Sequence, residues 1–304
     1  MKILQVTYTY SHLPETGGPA FEIHAISEGL AQRGHGVTVL TIGNPQTANE
    51  SVQTGAKTIY LRSWFKYRTM AFVPGALLFC LMRLKNFDVV QIYGLYEMLG
   101  PLVAAFCRLM RVPYILEPLG MNRPVGRSLW KKRLYHFILG RRLISGATVL
   151  IATSIKERTW LVEDGISAEN IVVRRNGIHI SEFRPLPKKG GFRAANGIAE
   201  ETKLVMFLGR LAPIKNLEAL LIAFASLNQT DTQLVLVGPI QETTYIDRLK
   251  TLGETLNISD KVLFSGPRYG REKVDALVDA DVFVLPSIAE SFGISALEAM
   301  ACGV

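Results

Sequence analysis

Short apolar runs alternate with longer segments of helical periodicity along the chain. This alternation predicts strand–helix units around parallel β-sheets, which is an α/β fold. Residues 19–34, PAFEIHAISEGLAQRG, have the apolar spacing of an amphipathic helix with Gly34 as its C-cap. The predicted strands are residues 3–9, 36–42, 58–62, 88–94, 113–118, 147–154 and 171–176, followed by residues 203–209, 233–238, 261–266 and 281–287.

The alternation lapses between Ser181 and Lys203, where the sequence is rich in Pro, Gly and charge. This composition predicts a linker with one short helix. We therefore predict two Rossmann-like domains, residues 1–183 and 184–304. Open α/β sheets bind ligands beyond the carboxyl ends of their strands, so we expect function in the loops after strands, at a cleft between the domains.

Composition favours a globular, cytoplasmic protein. The 304 residues are 48% apolar and 20% charged, which excludes a disordered chain. Three cysteines, Cys80, Cys107 and Cys302, lie in apolar segments and suit reduced core thiols. Met1 leads directly into a strand pattern, so no signal peptide is predicted. The apolar stretches 71–82 and 99–107 are shorter than the roughly 20 residues of a membrane span and are interpreted as buried helices.

The positive charge is concentrated in the first part of the chain. Residues 1–184 contain 22 Lys and Arg against 12 Asp and Glu, while residues 185–304 contain 12 against 14. Residues 123–142 combine seven basic residues with Trp130, Tyr135 and Phe137. We favour a solvated helix face with ordinary core aromatics, and the alternative is peripheral contact with anionic lipid. Nucleic acid is not an expected partner, because no recognised nucleic-acid motif accompanies the charge.

The loop GRLAPIKN, residues 209–216, follows a predicted strand and contains two cations. Gly209 permits a tight turn that places Arg210 and Lys215 at the carboxyl edge of the sheet. A guanidinium group and an ammonium group there can hold phosphate oxygens. Gly238 ends the next strand in the same way. By itself the loop favours ordinary solvated side chains over a phosphate site, because basic residues are common in such loops.

The segment ESFGIS, residues 290–295, is predicted to begin a helix after the last strand. Free N–H groups at a helix start attract phosphate or a polarised hydroxyl group, and Gly293 permits close approach by a ligand. Glu298 lies further along this helix, where its carboxylate can reach a ligand and accept two hydrogen bonds from a ribose diol. Glu290 precedes the helix and can face another part of the ligand. The alternative is an acid at the helix start that pairs with the helix dipole, together with a surface glutamate on the helix.

Other motifs bear on which class of enzyme the sequence predicts. The loop ETGGPA places Gly17 and Gly18 between a strand and a helix, where their N–H groups can approach a ligand, but the G-x-G-x-x-G spacing of dehydrogenases is absent. The acidic pair in DAD, residues 279–281, is assigned to a helix end and a strand start rather than to a metal. The histidines have no metal-ligand spacing, and no Cys-x-x-Cys or serine-elbow motif occurs.

Together these segments resemble a retaining glycosyltransferase of family 4 with the GT-B fold. The resemblance extends over the whole chain and is most specific in DADVFVLPSIAESFGISALEAMACGV, which contains the E-x7-E motif as Glu290 and Glu298. The segment EPLGM, residues 117–121, resembles bacterial surface-polysaccharide members of the family. The resemblance implies transfer of a sugar from a nucleotide-sugar donor to a glycan or lipid-linked acceptor, with no metal or other cofactor.

The resemblance also implies a role for each candidate residue. Arg210 and Lys215 bind the donor diphosphate and help it to leave, and Glu298 holds the nucleotide ribose. Glu290 and the backbone of Phe292–Ile294, including Gly293, face the donor sugar. The remaining implied donor-site residues are Gly17, Gly18, Gly209 and Gly238.

The sequence departs from the family pattern in two places. Many members have a histidine near the sugar after the fifth strand, whereas this chain has Glu117-Pro118-Leu119-Gly120. Full members also continue beyond ACGV, so we expect the second domain to be incomplete, with the strand at 281–287 at the edge of a sheet of order 3-2-1-4. Three alternatives stay open: a nucleotide-sugar-binding module without turnover, an epimerase of the same fold and, as the weakest, a dehydrogenase.

Overall fold

The computed structural model describes residues 1–11, 18–43, 55–67, 69–124, 128–290 and 292–304. The chain divides into two compact units, Met1–Asn176 and Gly177–Val304. The boundary observed between these units lies before the predicted position between residues 183 and 184.

The first unit is built on a parallel sheet with the order β3-β2-β1-β6-β7-β8-β9. Every strand predicted in this part of the chain is found in this sheet. Its strands and the separate hairpin β4-β5 are β1 (Lys2–Val6), β2 (Gly36–Ile42), β3 (Lys57–Leu61), β4 (Phe65–Tyr67), β5 (Met70–Phe72), β6 (Val89–Tyr93), β7 (Tyr114–Glu117), β8 (Val149–Ala152) and β9 (Ile171–Val173).

Helices connect these strands, as parallel pairing requires. The core between them contains fully buried side chains such as Leu4, Ile92 and Leu116, which come from the central strands. Cys80 and Cys107 are buried free thiols of this core, as predicted. The helices are α1 (Gly18–Gln32), α2 (Pro74–Arg83), α3 (Leu99–Met110), α4 (Leu129–Tyr135), α5 (Arg141–Ser145) and α6 (Ile155–Glu163).

The prediction of a buried helix over residues 71–82 was right only in part. Met70–Phe72 form β5, which pairs antiparallel with β4, and α2 begins only at Pro74. One face of α2 is buried, but Leu78 and Leu81 on the other face are 60% and 61% exposed. Both faces of this helix are apolar, so apolar content alone could not show which face is covered.

The basic segment predicted at residues 123–142 is largely helical. Helices α4 and α5 are joined by a π-helical turn at His136–Gly140. Tyr135 is buried in the core, as an ordinary core aromatic is expected to be, but Trp130 and Phe137 are 66% and 72% exposed. The favoured interpretation of core aromatics therefore holds for one of the three.

The second unit contains a parallel sheet of order β12-β11-β10-β13, which confirms the predicted order. The strand predicted at residues 281–287 is shorter than expected, because only Val282 and Phe283 pair with β10. The strands are β10 (Lys203–Leu208), β11 (Thr232–Val237), β12 (Val262–Gly266) and β13 (Val282–Phe283), and the helices are α7 (Gly191–Ala195), α8 (Leu217–Leu227), α9 (Thr243–Thr255), α10 (Gly270–Asp279) and α11 (Ile294–Ala301).

The linker segment and the last helix were both predicted in this unit. The segment predicted as a linker contains the short helix α7, as expected. Helix α11 begins at Ile294, within the segment predicted to start it, and Gly293 precedes it with a φ of +82°, outside the helical region. Cys302 is a buried free thiol.

Within the described residues, no helix has both the length and the apolarity to cross a membrane.

Candidate functional site

Loops at the carboxyl edge of the second sheet carry most of the predicted site. The sheet order places β11, β10 and β13 side by side, so the loops that follow them meet at one edge. We call these the β11 loop, residues 238–242, the β10 loop, residues 209–216, and the β13 loop, residues 284–293, of which residue 291 lies outside the described part.

Backbone hydrogen bonds join the three loops directly. The N–H of Leu211 donates to the carbonyl oxygen of Pro239 at 2.9 Å, which joins the β10 and β11 loops. The N–H of Ile288 donates to the carbonyl oxygen of Ile214 at 3.0 Å, which joins the β13 and β10 loops. The candidate side chains therefore stand on a hydrogen-bonded backbone rather than on independent loops.

Glycine is required where the β10 and β11 loops begin. Gly209 and Gly238 have φ values of +155° and +147°, in a region that favours glycine. A Cβ atom on Gly238 would lie 1.9 Å from the carbonyl oxygen of Gly209, closer than any non-bonded contact allows. The two glycines thus let the loops meet backbone to backbone, beside Arg210.

Lys215 and Glu290 form an ion pair between the β10 and β13 loops. The Lys215 Nζ atom lies 2.5 Å from the Glu290 Oε2 atom, and the hydroxyl group of Ser287 donates to the same oxygen at 3.1 Å. The side chains of Lys215 and Glu290 are 16% and 30% exposed. Both predicted residues are therefore brought together, partly shielded from water.

Glu298 forms a second ion pair, with a residue that the sequence analysis missed. Its Oε1 atom lies 2.6 Å from the Nζ atom of Lys273, and the two side chains are 13% and 15% exposed. Lys273 lies in the first turns of α10, the helix that follows β12. The sequence signal for Lys273 was a lysine near the start of the helix that follows a neighbouring strand, because such a position faces the same sheet edge.

Arg210 differs from Lys215 in having no carboxylate partner. Its side chain is exposed and makes no hydrogen bond or ion pair with any residue in the described part of the chain. The N–H groups of Phe292, Gly293 and Ile294 likewise donate to no described residue. A guanidinium group and several backbone donors are thus available for an anionic or hydroxyl-bearing ligand.

The predicted residues of the first unit are only partly described. Gly17 lies outside the described residues. Gly18 is the first residue of α1 and belongs to the first unit, whereas the loops above belong to the second.

A buried charge cluster in the first unit was not predicted. Arg174 follows β9, and its Nη2 atom donates to the carboxylates of Glu117, at the end of β7, and Glu22, on α1. Glu117 is fully buried and Glu22 is nearly so. Burial raises the pKa of both carboxyl groups, that of Glu117 to about 7, and the Arg174 guanidinium group opposes this rise only in part. A glutamate that ends an otherwise apolar strand was the signal in the sequence.

This cluster predicts a pH dependence of stability. The unfolded chain releases the Glu117 proton near its ordinary pKa of about 4.3, whereas the folded chain keeps it until about pH 7. The free energy of unfolding should therefore fall as the pH rises between these values. Glu117→Gln should remove up to about 3 kcal/mol of this fall, measured by urea unfolding at a series of pH values.

The exposed carboxyl group of Glu169 in the same unit provides the control. Glu169→Gln should leave the pH profile of stability unchanged. Identical profiles for Glu117→Gln and the unsubstituted chain would contradict the assignment of a proton to the buried cluster.

The acidic pair at residues 279–281 has structural roles. Asp279 ends α10 and accepts hydrogen bonds from the N–H groups of Gly190 and Arg193. Asp281 precedes β13, accepts from the N–H of Leu204 and pairs with Arg193. The described residues contain no group of three or more His, Cys, Asp or Glu that could hold a metal ion.

Two protein-family models match the chain. A glycosyl transferase 4-like domain matches residues 17–177, and glycosyl transferases group 1 matches residues 189–304. The first match covers more than half of the chain. The protein therefore belongs to the glycosyl transferase 4-like family.

Individual relatives carry related descriptions. An uncharacterized glycosyltransferase of Methanocaldococcus jannaschii is 28% identical over 100% of this chain and 79% of its own length. A D-inositol 3-phosphate glycosyltransferase of Streptomyces bingchenggensis is 34% identical over 55% of this chain, which covers 39% of that relative. A mannosylfructose-phosphate synthase of Agrobacterium fabrum is 31% identical over 57% of this chain, which covers 39% of that enzyme.

Solved structures show the same fold. Anabaena HepE, crystallised with UDP and glucose, superposes with a TM-score of 0.74 at 20% identity, over 100% of this chain and 79% of HepE. Sucrose-phosphate synthase from Thermosynechococcus elongatus superposes with a TM-score of 0.79 at 21% identity, over the same shares of each chain. The protein thus has the GT-B fold, with two Rossmann-like domains.

Proposed function

We propose that this protein transfers a sugar from a nucleotide-sugar donor to a glycan or lipid-linked acceptor, with retention of configuration, in surface-polysaccharide synthesis. One observation carries the proposal: hydrogen-bonded loops at one sheet edge carry Arg210 and the Lys215–Glu290 ion pair. Family membership and the UDP bound in the HepE structure support a nucleotide-sugar donor.

In the proposed site, Arg210 and Lys215 hold the donor diphosphate. The guanidinium group of Arg210 has no partner in the described residues and can bind phosphate directly. Lys215 instead shares its ammonium group between phosphate and Glu290, or exchanges Glu290 for phosphate. Positive charge at this position stabilises the negative charge that develops as the diphosphate leaves. Two cations can do this without a metal ion, so no cofactor is included in the proposal.

The remaining donor contacts follow from the two glutamates. Glu298 accepts hydrogen bonds from the ribose hydroxyl groups, and Glu290 with the N–H groups of Phe292–Ile294 faces the sugar. In the transfer step, an acceptor oxygen bonds to the anomeric carbon on the face from which the diphosphate departs. The bond from that carbon to the phosphate oxygen breaks, and the leaving phosphate takes the acceptor proton.

We assign acceptor binding to the first unit. We place the protein in the cytoplasm, with peripheral contact to anionic membranes. The basic helical segment 129–145 supports this location, because its exposed Trp130 and Phe137 are accompanied by Lys and Arg. Two other functions would use the same donor site: a binding module without turnover, and an epimerase.

Products distinguish these functions. Incubation with a panel of nucleotide sugars and glycan or lipid-linked acceptors, analysed by mass spectrometry, should show one donor consumed, a nucleoside diphosphate released and a glycosylated acceptor. Binding without consumption would favour the module, and a changed sugar still attached to its nucleotide would favour the epimerase.

The glutamates should affect different steps. Glu298→Gln is expected to weaken UDP binding about tenfold, because it removes a charged hydrogen-bond acceptor for the ribose. Glu290→Gln should leave UDP affinity nearly unchanged and reduce transfer. Glu254→Gln on α9, an exposed position, is the control for both measurements. Reversed effects of the two substitutions would contradict the placement of ribose and sugar.

A further inference from the structure

An apolar surface in the first unit faces the solvent. It consists of the hairpin β4-β5 and the outer face of α2, and we call it the hairpin–helix surface. Each of its side chains is between 58% and 77% exposed. They are Trp64, Phe65, Phe72, Leu78, Leu81 and Met82.

The scaffold under this surface is well packed. Along β5 the side chains alternate, so Ala71 is buried in the core while Phe72 points outward. The N–H of Trp64 donates to the carbonyl oxygen of Phe72 at 2.9 Å, and the two rings contact edge to face. On α2, Ala76 and Cys80 are completely buried on the inner face. The outward apolar side chains are therefore held in place by a buried inner layer.

The charged residues of the segment that forms this surface have one sign. From residue 51 to residue 87 the chain contains six Lys and Arg and no Asp or Glu. Arg62, Lys66, Arg83 and Lys85 among them are exposed. An apolar face whose own segment contains cations and no acids complements a surface that combines anionic groups with a hydrocarbon interior.

The hairpin–helix surface continues into the basic helical segment 129–145. The hydroxyl group of Thr69, in the hairpin turn, donates to the carbonyl oxygen of Tyr96 at 2.7 Å. The Lys132 Nζ atom lies 5.2 Å from the centre of the Tyr96 ring, and the Tyr96 hydroxyl lies 2.8 Å from the His136 Nε2 atom. Tyr96 thus connects two acid-free, apolar and cationic stretches, since residues 118–156 also lack Asp and Glu.

We propose that the hairpin–helix surface is a membrane-insertion surface for an anionic bilayer. Trp64, Phe65 and Phe72 enter the interface between head groups and acyl chains, and the outer face of α2 lies on it. The surrounding Lys and Arg bind the head groups, as does the basic helical segment beside them. The proposal adds apolar insertion to the electrostatic contact of residues 129–145, and it does not depend on which sugar is transferred.

Vesicle binding tests this assignment without donor or acceptor. The full chain is sedimented with phosphatidylcholine vesicles that contain or lack phosphatidylglycerol. We expect binding only to the anionic vesicles, and loss of at least about tenfold in affinity for Leu78→Gln/Leu81→Gln. The control is Ile222→Gln/Met300→Gln, which changes two exposed apolar residues of the second unit and should bind normally.

Insertion is measured separately in the variant Trp130→Phe/Trp160→Phe, which keeps Trp64 as its sole tryptophan. Its fluorescence should shift to shorter wavelength on anionic vesicles and be quenched by brominated lipid, because the indole enters the acyl region. Normal binding by Leu78→Gln/Leu81→Gln, or an unchanged Trp64 spectrum on bound vesicles, would overturn the proposal. So would a dimer in vesicle-free solution that dissociates in Leu78→Gln/Leu81→Gln, because the surface would then join two copies of the chain.

Discussion

Lys215→Ala should reduce sugar transfer about a hundredfold to a thousandfold, the loss expected when one preorganised charge is removed from a leaving group. The ammonium group of Lys215 is largely shielded from water and is held at the sheet edge by Glu290, so it is already positioned when a diphosphate binds. The affinity for UDP, measured by calorimetry, should also fall about tenfold to a hundredfold.

Lys250→Ala is the matched control for this substitution. Lys250 is an exposed cation of the same unit, on α9, and removing it changes the net charge by the same amount. UDP affinity and turnover should be unchanged in this variant. If Lys215→Ala behaved as Lys250→Ala does, the diphosphate role of the β10 loop would be wrong.

The sequence predicted the strands of the two sheets better than the elements that pack against them. Strand positions followed from short apolar runs between polar helices, and they were found in the predicted parallel sheets. The hairpin β4-β5 and the exposure of one face of α2 were not predicted. An apolar run indicates that burial is favourable, but it does not show which element covers it.

The site was predicted as loops and residue types, and the pairing among its residues was not. Arg210, Lys215, Glu290 and Glu298 were all named from the sequence, yet their contacts depend on long-range geometry. Glu298 pairs with Lys273 across two helices, and the position of a cation early in its helix does not show which carboxylate it meets. The same is true of Arg174 with Glu22, which are far apart in sequence.

Gly238→Ala should destabilise the second unit by about 3 kcal/mol, the largest effect on stability that we expect from a single methyl group in this site. The added Cβ atom would lie 1.9 Å from the carbonyl oxygen of Gly209, and backbone cannot rotate away as a side chain can. The φ of +147° at this position adds strain for any L-residue. Urea unfolding measures the loss.

Gly177→Ala separates steric overlap from the general effect of replacing glycine. No described atom lies within 4 Å of a Cβ atom added to Gly177, and its φ is not positive. This substitution should be neutral or slightly stabilising, by less than about 1 kcal/mol, because alanine restricts the unfolded chain. Gly238→Ala should in addition weaken UDP binding, since the β10 loop with Arg210 and Lys215 must shift to admit the methyl group. Equal stability of the two variants would show that the β10 and β11 loops do not meet backbone to backbone, and the proposed diphosphate site would lose its structural basis.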